Sequence, residues 1–565
     1  MSENMIHSFG VNKVERLPRS TMKKDLRNTT AFAQGVLIPI VWDTVIPGST
    51  CDCDFDNLVR LALTQVRPTM GDMYFTYGAY FVPDRILYKN YEKMFGGGEP
   101  SEWQENVEYI LPYASLLPKS SGYTEPSKVG YDGLVPNSGS YSRANATARG
   151  VYTRVGSLAD YLGLPLVDNL GAIAKNHYKI NLTPFLAYER IWTDFWRDEN
   201  YQNSDPDLEK AYNLASAAEA DNLYLGLHYA NRFHDYFSDV LPNTQKGPAV
   251  TALGSLIADG TTYHYFGDAL RFFDEDENGI AGNLVGNNGG QISGSTSGGT
   301  VQCTIDGSNL VPAFDLVQFR QAVQLQRARE RNGRVGSRFT EQMLGVFEAH
   351  LPNAVAQKAV FLGGNTVRVN TVSVPSTGDE PGKLGAYSAQ GNSSSVFRTV
   401  FDEPGTLMIV GCVRIKHRYS FGLNSFWEKR RRYDWYDPAF AHISEQPLYL
   451  KELNAGATQA VSGNAVFGFK QPWDEYRRPV DLITGTLRND ATADIKSWVF
   501  QDTQVANQTP YNFLPENGNE IAAVTRDAST SLPSYQFIGD FKATLKITSV
   551  LPLYSIPGFI DHLVA

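Results

Sequence analysis

Basic and aromatic side chains are concentrated in residues 418–446, RYSFGLNSFWEKRRRYDWYDPAFAHISEQ, which we call the basic-aromatic segment. Four consecutive basic residues stand there among eight aromatic ones: Lys429, Arg430, Arg431 and Arg432. Such cations can neutralise phosphates while neighbouring rings stack on unpaired bases. The same residue types also serve protein packing, in which rings are buried and guanidinium groups bind carboxylates such as Asp434 and Asp437. Residue types alone leave both interpretations open.

A second group of basic residues follows a helical pattern: Arg327, Arg329, Arg331, Arg334 and Arg338. The whole chain has 50 Lys and Arg against 60 Asp and Glu, a formal charge of −10, so any nucleic-acid contact must be local. Local patches of this kind suit contacts to the phosphate backbone without reading of bases. The alternative for both basic groups is ion pairing between subunits.

Metal-binding patterns are incomplete. Asp274, Asp276 and Asn278 match the opening of a calcium-binding loop, but Val285 stands where the bidentate Glu is required. Cys51 and Cys53 form a CxC pair without a second pair to complete a zinc site. We therefore expect no metal site and no cofactor.

Catalytic patterns are also missing from the sequence. The glycine clusters do not lead into a phosphate-binding loop, and the nine histidines form neither HExxH nor a nucleophile motif such as GxSxG. We predict no catalytic residues and a protein that is not an enzyme. Four cysteines in 565 residues are too few for a disulfide framework, which favours a reducing cytoplasm. With neither a signal peptide nor a long apolar run, we expect no membrane insertion.

The elements that must position these residues are mostly strands. Gly and Pro are frequent, at 49 and 29, and aromatic residues reach 12%. Extended runs bounded by Gly or Pro predict strands within 36–48, 72–83, 406–421 and 543–557. Apolar stripes at spacings of three and four predict helices at 185–199 and 314–332. The sequence thus predicts a mainly β protein with long connections.

Two segments differ in composition from the rest. Residues 250–310 are centred on a Gly-, Asn-, Ser- and Thr-rich stretch with few large apolar side chains, and we predict a surface-projecting insertion there. Residues 120–149, rich in Gly, Ser and Tyr, predict a second loop excursion. Exposed loops carry recognition on rigid scaffolds, so the first insertion is our candidate for recognition of a partner.

The chain resembles the major capsid proteins of the Microviridae, the phages with circular single-stranded DNA, and especially their gokushovirus branch. Six blocks occur in the family's order: TPFLAYERIWTDFWRDEN (183–200), HDYFSDVLPNTQKGPAV (234–250), FRQAVQLQRARERNGRVGSRFTEQ (319–342), SFGLNSFWEKRRRYDWYDPAFAHISEQ (420–446), VFGFKQPWDEYRRPVDLITGTLR (466–488) and LPLYSIPGFIDHL (551–563). Several ordered blocks spread over most of a chain are more specific than any single motif.

The resemblance implies one capsid-protein domain over residues 1–565, built on an eight-stranded antiparallel jelly roll with long insertions that contain short helices. It implies a coat subunit that assembles with copies of itself in the bacterial cytoplasm into a T=1 icosahedral virion around single-stranded DNA. The other implied partners are scaffolding, pilot and small DNA-binding phage proteins and a host receptor. A different class, a glycan-binding or glycan-processing β protein, would instead act as a monomer.

The Pro-marked C-terminal segment is a further candidate contact between subunits. We predict that its residues lie at or near a neighbouring copy: Tyr554, Pro557, Phe559 and His562. Closed symmetric shells depend on many modest interfaces of this kind.

Overall fold

The computed structural model describes most of the chain. The described residues are 19–62, 69–94, 109–115, 155–166, 178–214, 225–248, 272–273, 285–286, 292–293, 302–303, 316–370, 372–375, 384–388, 391–456, 465–488, 498–502, 509–516, 520–521 and 536–553. The chain divides into two compact units. The first comprises residues 1–244 and 335–565, and the second comprises 245–334.

Strands dominate the described residues. They are β1 (Ser20–Phe32), β2 (Val36–Val45), β3 (Ser49–Leu61), β4 (Met73–Pro83), β5 (Tyr113–Ser115), β6 (Lys179–Asn181), β7 (His228–Tyr229), β8 (Phe272–Phe273), β9 (Val285–Gly286), β10 (Ile292–Ser293), β11 (Gln302–Cys303), β12 (Val360–Arg368), β13 (Val372–Pro375), β14 (Leu384–Ser388), β15 (Gly391–Phe401), β16 (Gly405–Ile415), β17 (Gln446–Tyr449), β18 (Val466–Lys470) and β19 (Phe537–Ser549). Most helices are short. They are α1 (Tyr91–Met94), α2 (Leu158–Tyr161), α3 (Thr183–Ile191), α4 (Pro206–Tyr212), α5 (Leu316–Val335), α6 (Phe339–Phe347), α7 (Asn353–Ala356), α8 (Leu450–Leu453) and α9 (Pro510–Phe513). The prediction of a mainly β chain with short helices is confirmed.

Two antiparallel sheets form the body of the first unit. One has the strand order β1-β19-β3-β15, and the other has the order β12-β4-β16-β2-β7. Consecutive long strands alternate between the sheets at the start of the chain, because β1 and β3 belong to one sheet and β2 and β4 to the other. The last long strand, β19, lies between β1 and β3, so the two ends of the unit are tied together by 13 register pairs from Ser20–Ser549 to Phe32–Phe537.

Side-chain alternation explains why these strands form. In β3, Cys51, Cys53 and Phe55 are buried while the Asp residues between them are more accessible, as expected of a strand with one face on a core. Burial raises the pKa of each of the two thiols to about 12, so they pack as neutral groups. Strand β16 (GTLMIVGCVRI) is central in its sheet, between β4 and β2, and helix α3 packs against it, so it is buried along nearly its whole length.

Aromatic rings fill the core of the first unit. The Phe541 ring stacks on Phe55 and Phe75, with centroid distances of 6.0 and 5.4 Å, and Phe32 stacks on Phe537 at 5.9 Å. All five rings are essentially buried. Since such rings contribute large buried apolar areas, this group, which we call the aromatic core, stabilises the unit strongly.

The two predicted helices are present. Helix α3 continues through a π-helical turn at Trp192–Trp196. Of its predicted stripe of Tyr188, Ile191, Trp192 and Phe195, the first three residues are buried and Phe195 is half-buried. Helix α5 covers Leu316–Val335, close to the predicted 314–332. None of the described helices combines the length and apolar character that a membrane span requires.

The second unit contains most of α5 and two small antiparallel pairs, β8 with β11 and β9 with β10. These four two-residue strands lie within the predicted insertion, 250–310; the rest of that segment falls outside the described residues, as does 120–149. The calcium-like residues Asp274, Asp276 and Asn278 lie outside them too.

Candidate nucleic-acid interface

The basic-aromatic segment is an irregular surface segment anchored at both ends. Tyr419, near its start, and Leu448, just beyond its end in β17, belong to a buried apolar cluster that also contains Phe237 and Phe513. Strand β17 pairs with β18, which fixes the exit of the segment. Between these anchors the chain makes three single turns, at Ser425–Glu428, Arg432–Asp434 and Pro438–Phe440.

Local side chains cap each of these turns. Asn424 Oδ1 accepts a hydrogen bond from the Phe426 N–H at 3.0 Å, and Asp437 Oδ1 accepts one from the Ala439 N–H at 2.9 Å. Asp434 Oδ2 accepts from the N–H groups of Arg431 and Arg430 at 2.7 and 3.0 Å. These two backbone hydrogen bonds hold the pKa of the Asp434 carboxyl below its ordinary value. The capping residues Asp434 and Asp437 therefore fix the backbone.

Lys429 turns inward and is enclosed by rings. Its Nζ lies 4.3–5.6 Å from the ring centroids of four aromatic residues: Phe426, Trp435, Trp473 and Tyr476. The ammonium group donates to Glu475 Oε1 at 2.9 Å, and both side chains are more than nine-tenths buried. Burial opposes ionisation of Glu475, but the hydrogen bond from Lys429 and the Lys470 charge lower its pKa. A cation–π cage with a buried counter-ion makes Lys429 a packing element of the segment.

Trp473 shows how firmly this cage is built. Its backbone adopts φ 61°, a left-handed conformation that is strained for a bulky residue. Its indole Nε1–H donates to the Phe440 carbonyl at 2.9 Å, and its ring meets Tyr436 edge-on at 5.6 Å. A strained backbone angle persists only where the surrounding contacts hold it, so the contacts of Trp473 fix its position firmly. The cage therefore keeps the turn before Arg430 in one position.

The three remaining cations of the run point outward. Arg430, Arg431 and Arg432 are exposed, and within the described residues none of their guanidinium groups forms an ion pair with a carboxylate. Beside them Trp427 is 79% exposed and Tyr433 65% exposed. The structure thus combines accessible cations with accessible ring faces, which is the arrangement that single-stranded nucleic acid requires.

The five arginines of the second basic group have different surroundings: some are exposed, and others are bonded to groups of the same chain. Arg327, Arg331 and Arg334 are exposed on α5, where spacings of four and three place them on one helix face. The Arg329 guanidinium donates to the carbonyl of Pro248. Arg338 is ion-paired, with its Nη1 2.7 Å from Glu199 and 3.1 Å from Glu341. Arg327 and Arg331 on the exposed face of α5 are therefore the members of this group that are accessible to a phosphate.

The predicted C-terminal contact residues cannot be placed. Tyr554, Pro557, Phe559 and His562 lie outside the described residues, which end at Leu553. Their role stays a prediction.

A buried charge network was not predicted from the sequence. Arg232 Nη1 contacts Asp502 Oδ2 at 2.5 Å, while His417 donates to Asp502 through Nδ1 at 2.6 Å and to Glu516 through Nε2 at 3.0 Å. Burial and the Arg232 charge lower the pKa of His417, yet Glu516 and Asp502 outweigh them and raise it to about 10. No sequence signal could have joined residues between 85 and 270 positions apart.

Two buried groups of side chains have ligand atoms close enough for a metal ion: Glu189, Asp205 and His228, and His417, Glu516 and Glu520. In the first, His228 Nε2 already contacts Glu189 Oε2 at 2.5 Å, and its ring stacks on Trp192 with a centroid distance of 3.8 Å. In the second, Arg232 and protonated His417 supply the positive charge. The second group is therefore an internal ion-pair network of the fold, and the first is joined by the hydrogen bond between His228 and Glu189.

Comparisons with known proteins match nearly the whole chain. A family described as "Capsid protein (F protein)" matches residues 12–155 and 145–559. The chain is 28% identical to capsid protein VP1 of Chlamydia phage 1 over 631 aligned positions, which cover 97% of both proteins. It is 26% identical to the VP1 capsid proteins of Spiroplasma virus 4 and Bdellovibrio phage phiMH2K, each over 588 positions that cover 98% of this chain and 97% of the relative.

Proposed function

This chain belongs to the phage capsid protein (F protein) family, and from that premise we propose that it is the coat subunit of a T=1 icosahedral shell around a circular single-stranded DNA genome. Its role is structural, and the family resemblance to Microviridae capsid proteins extends over nearly the whole chain. That length of match is the observation that carries the proposal. Function then lies in complementary surfaces that join copies of the chain.

We propose that the two sheets form a jelly roll. Its eight strands would be β1, β2, β3, β4, β12, β15, β16 and β19. The support is the strand order: the first and last long strands pair in one sheet, and β2 and β4 flank β16 in the other. In the proposed jelly roll these strands would make two Greek keys in a sandwich, the arrangement common in viral coats.

The direct test of the coat role is particle formation. The chain, expressed with any scaffolding and pilot proteins that it needs, should form uniform icosahedral particles in negative-stain micrographs. A persistent 62.6 kDa monomer with affinity for sugars would instead support the glycan-binding alternative. The first outcome is expected because copies of a capsid protein close into symmetric assemblies.

We propose that Arg430, Arg431 and Arg432 and the exposed face of α5 contact the packaged DNA. The accessible guanidinium groups beside the exposed rings support this role, whereas Lys429 holds the segment in place. Contacts of this type neutralise phosphates without selecting a sequence, so they suit a genome that passes through many subunits.

The double change Arg431→Glu with Arg432→Glu should reduce the fraction of DNA-filled particles, because it replaces attraction to phosphate by repulsion. Sedimentation separates full from empty particles, and absorbance at 260 and 280 nm measures their DNA. The matched control, Arg431→Lys with Arg432→Lys, keeps the charge and should package normally. Normal yields of full particles from the Glu variant would contradict the DNA role.

We propose that the insertion at 250–310 serves host attachment, and its polar composition supports this role. We propose that the C-terminal segment, residues 551–562, contacts a neighbouring copy of the chain. Its Pro-marked apolar sequence supports this second role. Particles lacking residues 260–300 should lose adsorption to host cells while their assembly is unchanged. A particle structure in which the segment 551–562 is buried wholly within one subunit would contradict the second role.

A further inference from the structure

Helix α6 has an unusual orientation for an amphipathic helix. Its sequence, FTEQMLGVF, is rich in apolar residues, yet none of its nine residues is buried. Phe339 is 65% exposed, Phe347 69% and Leu344 44%. A surface helix normally turns its apolar face to its own core. In α6 the apolar face is directed to the solvent.

The opposite face of α6 holds it on its own chain. The Glu341 carboxylate accepts hydrogen bonds from the Arg338 backbone N–H at 3.3 Å and from its guanidinium at 3.1 Å. Gln342 donates to the Gly336 carbonyl, and Gly345 lies so close to Val335 that a Cβ atom there would clash with it. The small and polar residues of α6 therefore make the internal contacts, and this fixes which face points outward.

The outward stripe is symmetric along the helix. Phe339, Met343 and Phe347 are spaced by four residues, so they lie on one face, with the half-buried Met343 in the middle between the two exposed phenylalanines. If two such helices pack antiparallel across a twofold axis at Met343, each Phe339 meets the Phe347 of the other copy. An interface of this kind is self-complementary and uses the same patch on both partners.

The charges around α6 argue against nucleic acid as the occupant. The outward stripe carries no basic side chain, and the cation at its start, Arg338, is already bound to Glu199 and Glu341. Phosphate contacts require available Lys or Arg. An exposed apolar helix on a member of a shell-forming family instead matches another copy of the same surface.

We propose that α6 forms an isologous contact between two copies of this chain, with the helices antiparallel about a twofold axis that passes near Met343. This inference rests on the proposed coat function, because icosahedral shells supply such axes. It assigns the contact to one helix and predicts which residues face each other.

Cysteine cross-linking tests the geometry. Cys51, Cys53 and Cys412 are buried, so a Cys303→Ser background leaves an introduced cysteine as the reactive thiol. Particles carrying Met343→Cys should form disulfide-linked chain dimers on mild oxidation, because both copies of residue 343 meet at the axis. Unassembled subunits at the same concentration should stay monomeric on a non-reducing gel.

The matched control uses a residue of the same stripe away from the axis. Residues 339 and 347 are separated by about 12 Å along a helix, as are the two copies of residue 347 across the axis. Phe347→Cys alone should therefore give no dimers, since a disulfide needs Cα atoms within about 7 Å. Particles that mix Phe347→Cys and Phe339→Cys chains should link these two positions.

Assembly yield gives an independent test. Phe347→Glu should lower particle yield at least about tenfold, because it places a charge in every copy of an apolar contact, while the melting temperature of the subunit is unchanged because residue 347 is exposed. Phe347→Leu keeps the contact apolar and should restore assembly.

Three results would overturn the contact: intact Met343→Cys particles without chain dimers, α6 thiols that react with maleimide as fast in particles as in subunits, or cross-links from α6 to a different protein. Failure of the unmodified chain to form particles at all would instead overturn the proposed coat function.

Discussion

Aromatic side chains have opposite surroundings in the aromatic core and in the basic-aromatic segment. Phe541 is packed between rings of both sheets and is 1% exposed, whereas Trp427 is 79% exposed on a capped turn. Strands bury one face by their alternation, so aromatic residues within them enter the core together. The turns of the segment are held by Asn424, Asp434 and Asp437, and they leave most rings outside. Burial of rings in this chain is therefore determined by the backbone that carries them.

Buried and exposed aromatic residues therefore have different roles: the buried ones stabilise the subunit, and the exposed ones are free to bind a partner. Core rings gain free energy by leaving water within one subunit, while exposed rings and cations can gain it only by meeting a partner. Substitutions in the core should change the free energy of unfolding, and substitutions of the exposed residues of the segment should change assembly or packaging.

Phe541→Ala should have the largest effect on stability. Removing a buried ring that contacts Phe32, Phe55 and Phe75 leaves a cavity and should cost about 3–5 kcal/mol. Denaturant unfolding of the subunit, followed by tryptophan fluorescence, measures the loss. Phe541→Leu, which fills part of the cavity, should cost less. A loss below about 1 kcal/mol for the Ala variant would contradict the central place of this ring.

His417→Gln should have the next largest effect, about 1.5–3 kcal/mol at pH 7, because the amide retains one of the charged hydrogen bonds. The folded pKa of His417 is raised from 6.5 to about 10, so its stabilisation is complete below pH 6.5 and is lost as the pH rises towards 10. The free energy of unfolding should therefore fall over this range, by at most about 1.4 kcal/mol per pH unit from this group.

The comparison of pH profiles isolates that group. His417→Gln should show a flatter profile than the unmodified chain between pH 6.5 and 10, since it has no proton to lose there. His234, which is exposed, offers a control: His234→Gln should keep the original slope. Parallel profiles for the His417 variant and the unmodified chain would contradict a raised pKa.

Lys429→Met should cost about 1–2 kcal/mol, because it removes a cation from four ring faces and from Glu475 while Lys470 still balances that carboxylate. Its neighbour provides the control, since Arg430→Met removes an exposed cation and should change stability by less than about 0.5 kcal/mol. Urea unfolding distinguishes the two. Equal losses in the free energy of unfolding would contradict a special role of Lys429 in packing.

The sequence predicts local structure in these two regions better than contacts between residues that are far apart along the chain. Extended runs at 36–48 and 72–83 correspond to β2 and β4, because period-two alternation is a local property. The start of β19 at Phe537 was not predicted, since Gly539 and Asp540 weaken its strand pattern, and the strand ends at Ser549 before the prolines. Local patterns therefore located β2, β4, β16 and β19, but they missed both ends of β19 and did not indicate the long strands β1, β3, β12 and β15.

The sequence does not predict which residues surround each cation of the run. Lys429 was grouped with the three arginines by adjacency, and only the fold brings Trp473, Glu475 and Tyr476 around it from more than 40 residues away. The aromatic residues of 466–488 were visible in the sequence, but nothing there indicated that they enclose a lysine. In the same way, α6 carries a recognisable apolar stripe, and only its contacts show that the stripe faces outward.

The smallest effect on stability is expected for Trp427→Ala, within about 0.5 kcal/mol, because the ring already lies in water. The same change should nevertheless reduce the DNA content of particles if the ring stacks on bases, since such stacking contributes about 1–3 kcal/mol per base. Trp427→Phe keeps a ring face and should package more DNA than the Ala variant. An Ala variant that is strongly destabilised would place Trp427 with the core rings. One with unchanged stability and unchanged DNA content would restrict DNA contact to the arginines, and the exposed indole would then have to meet protein instead.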